Sequence, residues 1–99
     1  MLVHTVLFWL RKDLDDAQIT KFRMGLESLI GIEHADSVFV GSPASVAERP
    51  VCDGSYDFCL TVILKDVPAH DAYQAHEKHQ GFIANHKDKW EKVKVYDAD

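Results

Sequence analysis

The chain has 99 residues, 46% of them hydrophobic and 27% charged, and its formal net charge is −5. This length suits one domain spanning residues 1–99, and this composition excludes global disorder. Nucleic-acid binding is not expected, because basic residues are interspersed with acidic ones: Asp88 and Glu91 interrupt the lysines between positions 87 and 94.

Membrane insertion and secretion are not expected either. No apolar run approaches the roughly 18 residues of a membrane span. The apolar start at residues 3–10 lacks the charged segment that opens a signal peptide. We therefore expect a cytoplasmic protein with reduced cysteines. Cys52 and Cys59 are close enough in sequence to pair, but Cys59 falls in a predicted strand, where a free cysteine packs as a small hydrophobic residue.

The first half of the chain predicts a strand, a helix and a second strand. Residues 3–10 (VHTVLFWL) are β-branched, aromatic and apolar on both strand faces. Residues 13–30 place apolar side chains at helical spacing behind an acidic start. Gly25 within this helix costs about 1 kcal/mol relative to alanine, which indicates close packing there. Residues 36–42 predict the second strand, and residues 43–55 predict a loop.

The second half predicts a strand, helical segments and a last strand. Residues 56–65 (YDFCLTVILK) are again apolar on both faces. Asp66 is placed to cap a helix that has Pro68 in its first turn. Helical spacing resumes over residues 80–90, and residues 92–97 (KVKVYD) predict the final strand.

This order, β-α-β-β-α-β, is the ferredoxin-like arrangement of an α+β fold. It predicts a four-stranded antiparallel sheet with helices on one face. The other face is too apolar to remain in water, and such a patch is typical of an interface. We therefore expect a homodimer through the open sheet face, in which two sheets close a dimeric α+β barrel.

Four segments resemble the stress-responsive A/B barrel (Dabb) family. They are VHTVLFWLR, GSYDFCLTVILKD with its Gly-Tyr-Asp strand, AYQAHEKHQGF and the closing VYD. The third is similar to the family pattern Tyr-x-x-His-Pro-x-His-x-x-Phe. It departs from that pattern at Glu77, where the family usually has proline, so the turn between His76 and His79 is expected to be more helical here. The resemblance implies the dimeric barrel but no single function.

The resemblance also implies candidate catalytic residues. Some plant members of the family are polyketide cyclases that close an aromatic ring by an aldol reaction without a cofactor. Their matching positions here are His4, Tyr73 and His79. His4 would act as a general base, Tyr73 would polarise a carbonyl, and His79 would relay a proton or orient His4. Alternatively, His4 and Tyr73 pack in the core with their polar atoms bonded, and His76 caps a helix end.

A ligand pocket is expected between the sheet and the helices. His4 shares its strand face with Val6 and Phe8. The four residues predicted to line the pocket are Val6, Phe8, His76 and Phe82. No cofactor is expected, because the chain has no glycine-rich phosphate loop and no signal for haem.

Transition-metal binding is not expected, because the His76–His79 spacing matches neither a zincin helix nor a zinc finger. The resemblance implies a weak cation site at the backbone carbonyls of Leu29, Ile32 and Ala35, where the first helix ends.

Three functions remain open at this point, and whether the chain is an enzyme is among the open questions. They are a binder of a hydrophobic small molecule, a cofactor-independent cyclase or lyase that uses His4, Tyr73 and His79, and a purely structural, stress-protective oligomer. A monooxygenase of a related dimeric barrel is a more distant alternative.

Overall fold

The computed structural model describes every residue from Met1 to Asp99. Its elements follow the predicted β-α-β-β-α-β order, with the second helical region divided in two. They are β1 (Leu2–Leu10), α1 (Asp16–Glu27), β2 (Ala35–Gly41), β3 (Phe58–Leu64), α2 (Val67–Ala75), α3 (Glu77–His86) and β4 (Trp90–Ala98), with a short 3-10 turn at Lys87–Lys89. The predicted α+β fold is confirmed, and the segment predicted as a loop at 43–55 contains no helix or strand.

The four strands form one antiparallel sheet in the order β2-β3-β1-β4. β1 is central, and its residue His4 pairs with Val62 of β3 on one side and with Asp97 of β4 on the other. β4 begins at Trp90, earlier than predicted, because Trp90 pairs with Leu10 across a register shift and so belongs to the sheet rather than to the preceding helix.

Side-chain caps set the bounds of α1 more narrowly than the predicted 13–30. Asp15 is the N-cap: it accepts from the Gln18 backbone N–H at 2.8 Å, and the Gln18 side chain accepts from the Asp15 N–H at 2.9 Å. This reciprocal capping box starts the helix at Asp16. The last helical residue is Glu27, and Ser28 is the C-cap. The apolar residues that follow continue as turns rather than as helix.

Capping also explains why α2 and α3 are separate helices. Asp66 accepts from the Ala69 N–H at 2.9 Å, and Pro68 lies in the first turn of α2, as predicted. At His76 the backbone is extended (φ −62°, ψ 140°), which ends α2 and starts α3 at Glu77. Helical structure therefore resumes three residues earlier than the predicted position 80, and the turn between the two histidines is largely helical.

The helices pack on the β1 face that carries Leu2, Val6 and Phe8, which are all buried. Phe22 and Leu26 of α1 are fully buried in the same core. None of the helices is both long enough and apolar enough to cross a bilayer.

The close packing predicted at Gly25 is confirmed, and its partner is His86. A Cβ added at Gly25 would lie 2.5 Å from His86 Nε2, closer than such atoms approach. The buried imidazole also contacts Phe22 and Phe82, with ring centroids 5.8 Å and 5.2 Å away. Burial lowers the pKa of His86, and the nearby Lys89 lowers it further. The histidine is therefore a neutral part of the helix interface.

The opposite face of the sheet carries no helix. Val3, Leu7 and Ile63 are half-buried there, and Phe39 and Tyr96 are 64% and 57% exposed. The prediction that both faces of the central strands are apolar is confirmed. The cysteines are both unpaired, with Cys52 exposed in the loop and Cys59 half-buried in β3.

Candidate functional site

His4 and Asp97 form a hydrogen-bonded pair beneath the helices. The pairing of β1 with β4 places them opposite each other, and His4 Nδ1 lies 2.5 Å from Asp97 Oδ1. Since a carboxylate only accepts hydrogen bonds, Nδ1–H is the donor. The other ring nitrogen, Nε2, lies 3.3 Å from the side-chain nitrogen of Gln74, from which it accepts. His4 is 2% exposed, so both of its bonds hold the ring in a fixed orientation.

His70 of α2 is a second imidazole beside this pair. Its ring centroid lies 5.1 Å from that of His4, and its Nε2 lies 3.9 Å from Asp97 Oδ2. Its Nδ1 lies 3.1 Å from a carboxylate oxygen of Asp71, the next residue in the chain. Asp97 therefore has a histidine on each side, one for each carboxylate oxygen.

Tyr73 lies fully buried between the two histidines of the predicted site. Its ring centroid is 5.9 Å from that of His4 and 4.8 Å from that of His79. Its hydroxyl has no hydrogen-bond partner. Burial raises the pKa of Tyr73 to about 12, so the hydroxyl is protonated at neutral pH and is an unused donor. The alternative in which this hydroxyl is bonded in the core does not hold.

His79 is buried where α2 gives way to α3. Its Nδ1 donates to the backbone carbonyl of Gln74 at 3.0 Å, which is accessible because α2 ends at Ala75. Burial lowers the pKa of His79; the nearby His4 and His70 lower it further, although the bond to Gln74 opposes them. A neutral ring that donates through Nδ1 leaves Nε2 as an acceptor. The structure thus brings His4, Tyr73 and His79 into one cluster.

His4 and His79 of this cluster lie at the polar end of an apolar cavity of about 180 Å³ between the sheet and α2–α3, whereas Tyr73 does not line it. The cavity is lined by His4, Val6, Phe8, Leu60, Gln74, His79, Phe82, Ile83, Trp90, Val93 and Val95. Val93 and Val95 of the edge strand β4 are 41% and 51% exposed, so the cavity reaches the surface at that edge. Three of the four residues predicted to line a pocket lie in this cavity.

The fourth, His76, does not line this cavity. The extended backbone at His76 turns its ring toward the start of α3, where Nδ1 accepts from the Lys78 N–H at 3.1 Å. The alternative role, capping a helix end, is the one that the structure shows.

The expected cation site after α1 involves carbonyls that are already engaged. The Leu29 carbonyl accepts from the Ile32 N–H at 3.1 Å, and the Ile32 carbonyl accepts from the Ala35 N–H at 3.4 Å. Each carbonyl keeps one lone pair, so cation binding there stays a prediction.

Sequence reasoning missed Gln74, His70 and Asp97. Asp97 lies in the predicted last strand, and its place opposite His4 depends on the β1–β4 register, which alternation alone does not give. His70 and Gln74 lie on α2 one turn apart, a spacing that indicates a shared helix face.

Comparison with known proteins identifies the family. The family model of the stress responsive A/B barrel domain, Dabb, matches residues 2–99. The chain belongs to this family. The Dabb match covers both strands that carry His4 and Asp97, together with the helices above them. No match was found among the curated proteins.

Solved structures with the same fold include another Dabb protein. A Dabb family protein with a ferredoxin-like fold from Mesorhizobium loti is 20% identical, with a TM-score of 0.78 over 99% of this chain and 94% of that one. A dimeric ferredoxin-like protein of unknown function from Thermobifida fusca is 19% identical, with a TM-score of 0.79 over 98% and 88% of the two chains. Hydroxynitrile lyase from Passiflora edulis is 15% identical, with a TM-score of 0.76 over 98% and 90%. At these identities the likeness establishes the fold alone.

Proposed function

We propose that this Dabb protein is a homodimer in which each chain binds a small apolar molecule carrying one polar group. The observation that supports this most directly is the grouping of His4, Gln74 and His79 at one end of an otherwise apolar cavity. Apolar walls with a few convergent polar groups are typical of small-molecule sites.

The size of the cavity sets the size of the ligand. A volume of about 180 Å³ suits a molecule built on a single ring, since an apolar cavity of about 150 Å³ holds benzene in another protein. The acceptor Nε2 of His79 and the second amide N–H of Gln74, both on residues that line the cavity, would serve a hydroxyl or a carbonyl on that ring.

Two probes test binding: phenol, which donates a hydrogen bond, and acetophenone, which accepts one. We expect both to show saturation-transfer NMR signals with the wild-type protein. Val95→Phe, at the cavity mouth, should abolish these signals, whereas Val51→Phe, in the exposed loop, should leave them unchanged. Equal binding by the two variants would contradict the site. Failure of the wild-type protein to bind either probe would favour the structural oligomer.

The dimer is proposed on the open sheet face. Leu7 and Ile63 lie centrally on it and Phe39 extends it, and no helix covers these side chains. A contiguous apolar surface of this kind is typical of an interface, and the related protein from Thermobifida fusca is described as dimeric.

Light scattering at micromolar concentration tests the dimer. We expect a mass of about twice the 11.2 kDa of one chain. Leu7→Glu should reduce that mass to one chain, because it would bury a carboxylate between two sheets. Met24→Glu replaces an exposed apolar residue on α1 and is the matched control. A monomeric wild-type protein would refute the dimer.

The His4–Asp97 pair favours a second candidate function, that of a cofactor-independent enzyme for proton abstraction next to a carbonyl. Asp97 holds His4 in the tautomer whose Nε2 is a base, at the same end of the cavity. That nitrogen, once released by the Gln74 amide, would take a proton from the substrate carbon, and the same amide would donate a hydrogen bond to the resulting enolate oxygen. An aldol cyclisation begins with such a proton transfer from carbon.

Exchange of the acetophenone methyl protons in D₂O, followed by NMR, tests this second candidate without knowledge of the natural substrate. We expect the wild-type protein to accelerate exchange, and His4→Gln to lower the rate by about 100-fold or more. A saturation-transfer signal of acetophenone in the presence of the His4→Gln variant would show that this variant still binds the ketone. Exchange that His4→Gln leaves unchanged, or a wild-type protein that binds the ketone without accelerating exchange, would exclude His4 as the base.

A further inference from the structure

We propose that His4, His70 and Asp97 form a binding site for a divalent transition-metal ion of the Zn²⁺ class. One ligand atom from each residue lies within 4.8 Å of the other two. The three side chains come from β1, α2 and β4, so three separate elements converge on one point.

The distances fit a metal that draws the three donors to a common spacing. Two donors about 2.0–2.1 Å from a tetrahedral metal lie about 3.3 Å from each other. His4 Nδ1 and Asp97 Oδ1 are 2.5 Å apart, and His70 Nε2 and Asp97 Oδ2 are 3.9 Å apart. The two separations involve different oxygens of the Asp97 carboxylate, and each differs from the required value by less than about 1 Å.

The outer hydrogen bonds are those that a metal site uses to orient its histidines. A metal-binding histidine commonly bonds a carboxylate, carbonyl or amide through the ring nitrogen that does not bind the ion. His70 meets Asp71 through Nδ1, which leaves Nε2 directed at Asp97. His4 contacts the Gln74 amide through Nε2 and directs Nδ1 at Asp97. Because Nδ1 carries the proton in the free protein, metal binding there would move the proton to Nε2, which requires the Gln74 amide to present its oxygen instead. Both imidazoles therefore direct one nitrogen at the same carboxylate.

The donor set indicates which ion would bind. Two imidazoles with one carboxylate suit Zn²⁺ and Co²⁺, whereas Mg²⁺ and Ca²⁺ prefer sites made wholly of oxygen ligands. Three protein ligands leave a fourth position for water. The metal site shares His4 with the apolar cavity, whereas His70 and Asp97 do not line that cavity.

Calorimetric titration of the metal-free protein with Zn²⁺ tests the site. We expect about one Zn²⁺ per chain and, with Co²⁺, the visible absorption bands of four- or five-coordinate cobalt. His70→Gln should weaken Zn²⁺ binding about tenfold or more and abolish the cobalt bands. His70 is partly exposed and outside the core cluster, so this variant should fold, as circular dichroism would verify.

His34→Gln is the matched control. His34 lies beside His76, at 6.3 Å between ring centroids, and near Glu33, so it belongs to the other surface pair of histidines. This variant should bind Zn²⁺ as the wild-type protein does. No binding to the wild-type protein, or a loss caused by His34→Gln and not by His70→Gln, would overturn the proposal. His70→Gln leaves the cavity intact, so this variant should still give the saturation-transfer signal of phenol. Phenol binding without Zn²⁺ binding would therefore mean that the metal site fails while the apolar site holds.

Discussion

Replacing Tyr73 with phenylalanine should make the free protein more stable. The Tyr73 hydroxyl is buried without a hydrogen-bond partner, so folding removes it from water and gives nothing in exchange. The substitution removes this oxygen and keeps the aromatic ring packed against His4 and His79.

The magnitude follows from two opposing terms. An unbonded buried hydroxyl costs about 1–3 kcal/mol. Removing the oxygen also loses several van der Waals contacts of about 0.1–0.2 kcal/mol each, because a small void remains. The net gain in the free energy of unfolding is therefore about 1 kcal/mol. For a chain of 99 residues, this corresponds to a rise in Tm of about 4–8 °C.

Urea unfolding of both proteins at one fixed concentration measures this difference. Tyr56→Phe removes the hydroxyl of a half-buried tyrosine and should change stability by less than about 0.5 kcal/mol. A Tyr73→Phe protein less stable than the wild type would show that the hydroxyl is bonded in the native state.

Three further predictions concern the packing and the caps. Gly25→Ala should destabilise the protein by about 1 kcal/mol, because overpacking against His86 outweighs the better helix propensity. In a His86→Ala background the same change should instead stabilise the protein by about 1 kcal/mol. Urea unfolding of the wild type, the two single mutants and the double mutant measures both effects. A Gly25→Ala effect of the same sign in both backgrounds would refute the contact. Asp66→Ala should cost about 1 kcal/mol in the same assay by removing the α2 cap; an unchanged midpoint would mean that the cap is dispensable. The lowered pKa of His86 means that the unfolded chain takes up a proton at the ordinary pKa of 6.5 while the folded chain stays neutral, so the free energy of unfolding should fall as pH drops below about 6.5 and continue to fall through the folded-state pKa. This decrease in the free energy of unfolding should be smaller in His86→Gln. An equal decrease in the variant would mean that groups other than His86 cause it.

The fold could be predicted because its signals are local. The β-branched and aromatic runs of β1 and β3 and the acidic caps at Asp15 and Asp66 each depend on neighbours within a few residues. The errors lie at element ends. The helix predicted over 13–30 was too long at both ends, because apolar spacing continues past the point where the backbone leaves the helix. Trp90 fits a helical stripe by spacing but pairs with Leu10 in the sheet.

The candidate site could be predicted only in part. His4, Tyr73 and His79 came from a resemblance to family motifs, and the structure places them together. Asp97 and His70 have no sequence signal of this kind, because their closeness to His4 depends on strand register and on how α2 packs across the sheet. His76 was misplaced because one residue of extended backbone redirects its ring, and helical spacing does not register such a break.

The pairing of His4 with Asp97 has a consequence for how this protein folds. The two residues are 93 positions apart in the chain, so their hydrogen bond closes a loop that contains almost every other element. During folding, contacts of such long range are expected to form late, because the entropy lost on closing a long loop has to be offset by structure that has already formed. The proton on His4 Nδ1 should therefore exchange with solvent until β4 has joined the sheet. Its NMR resonance would report the last step of assembly, and would do so at the same imidazole that the proposed chemistry requires.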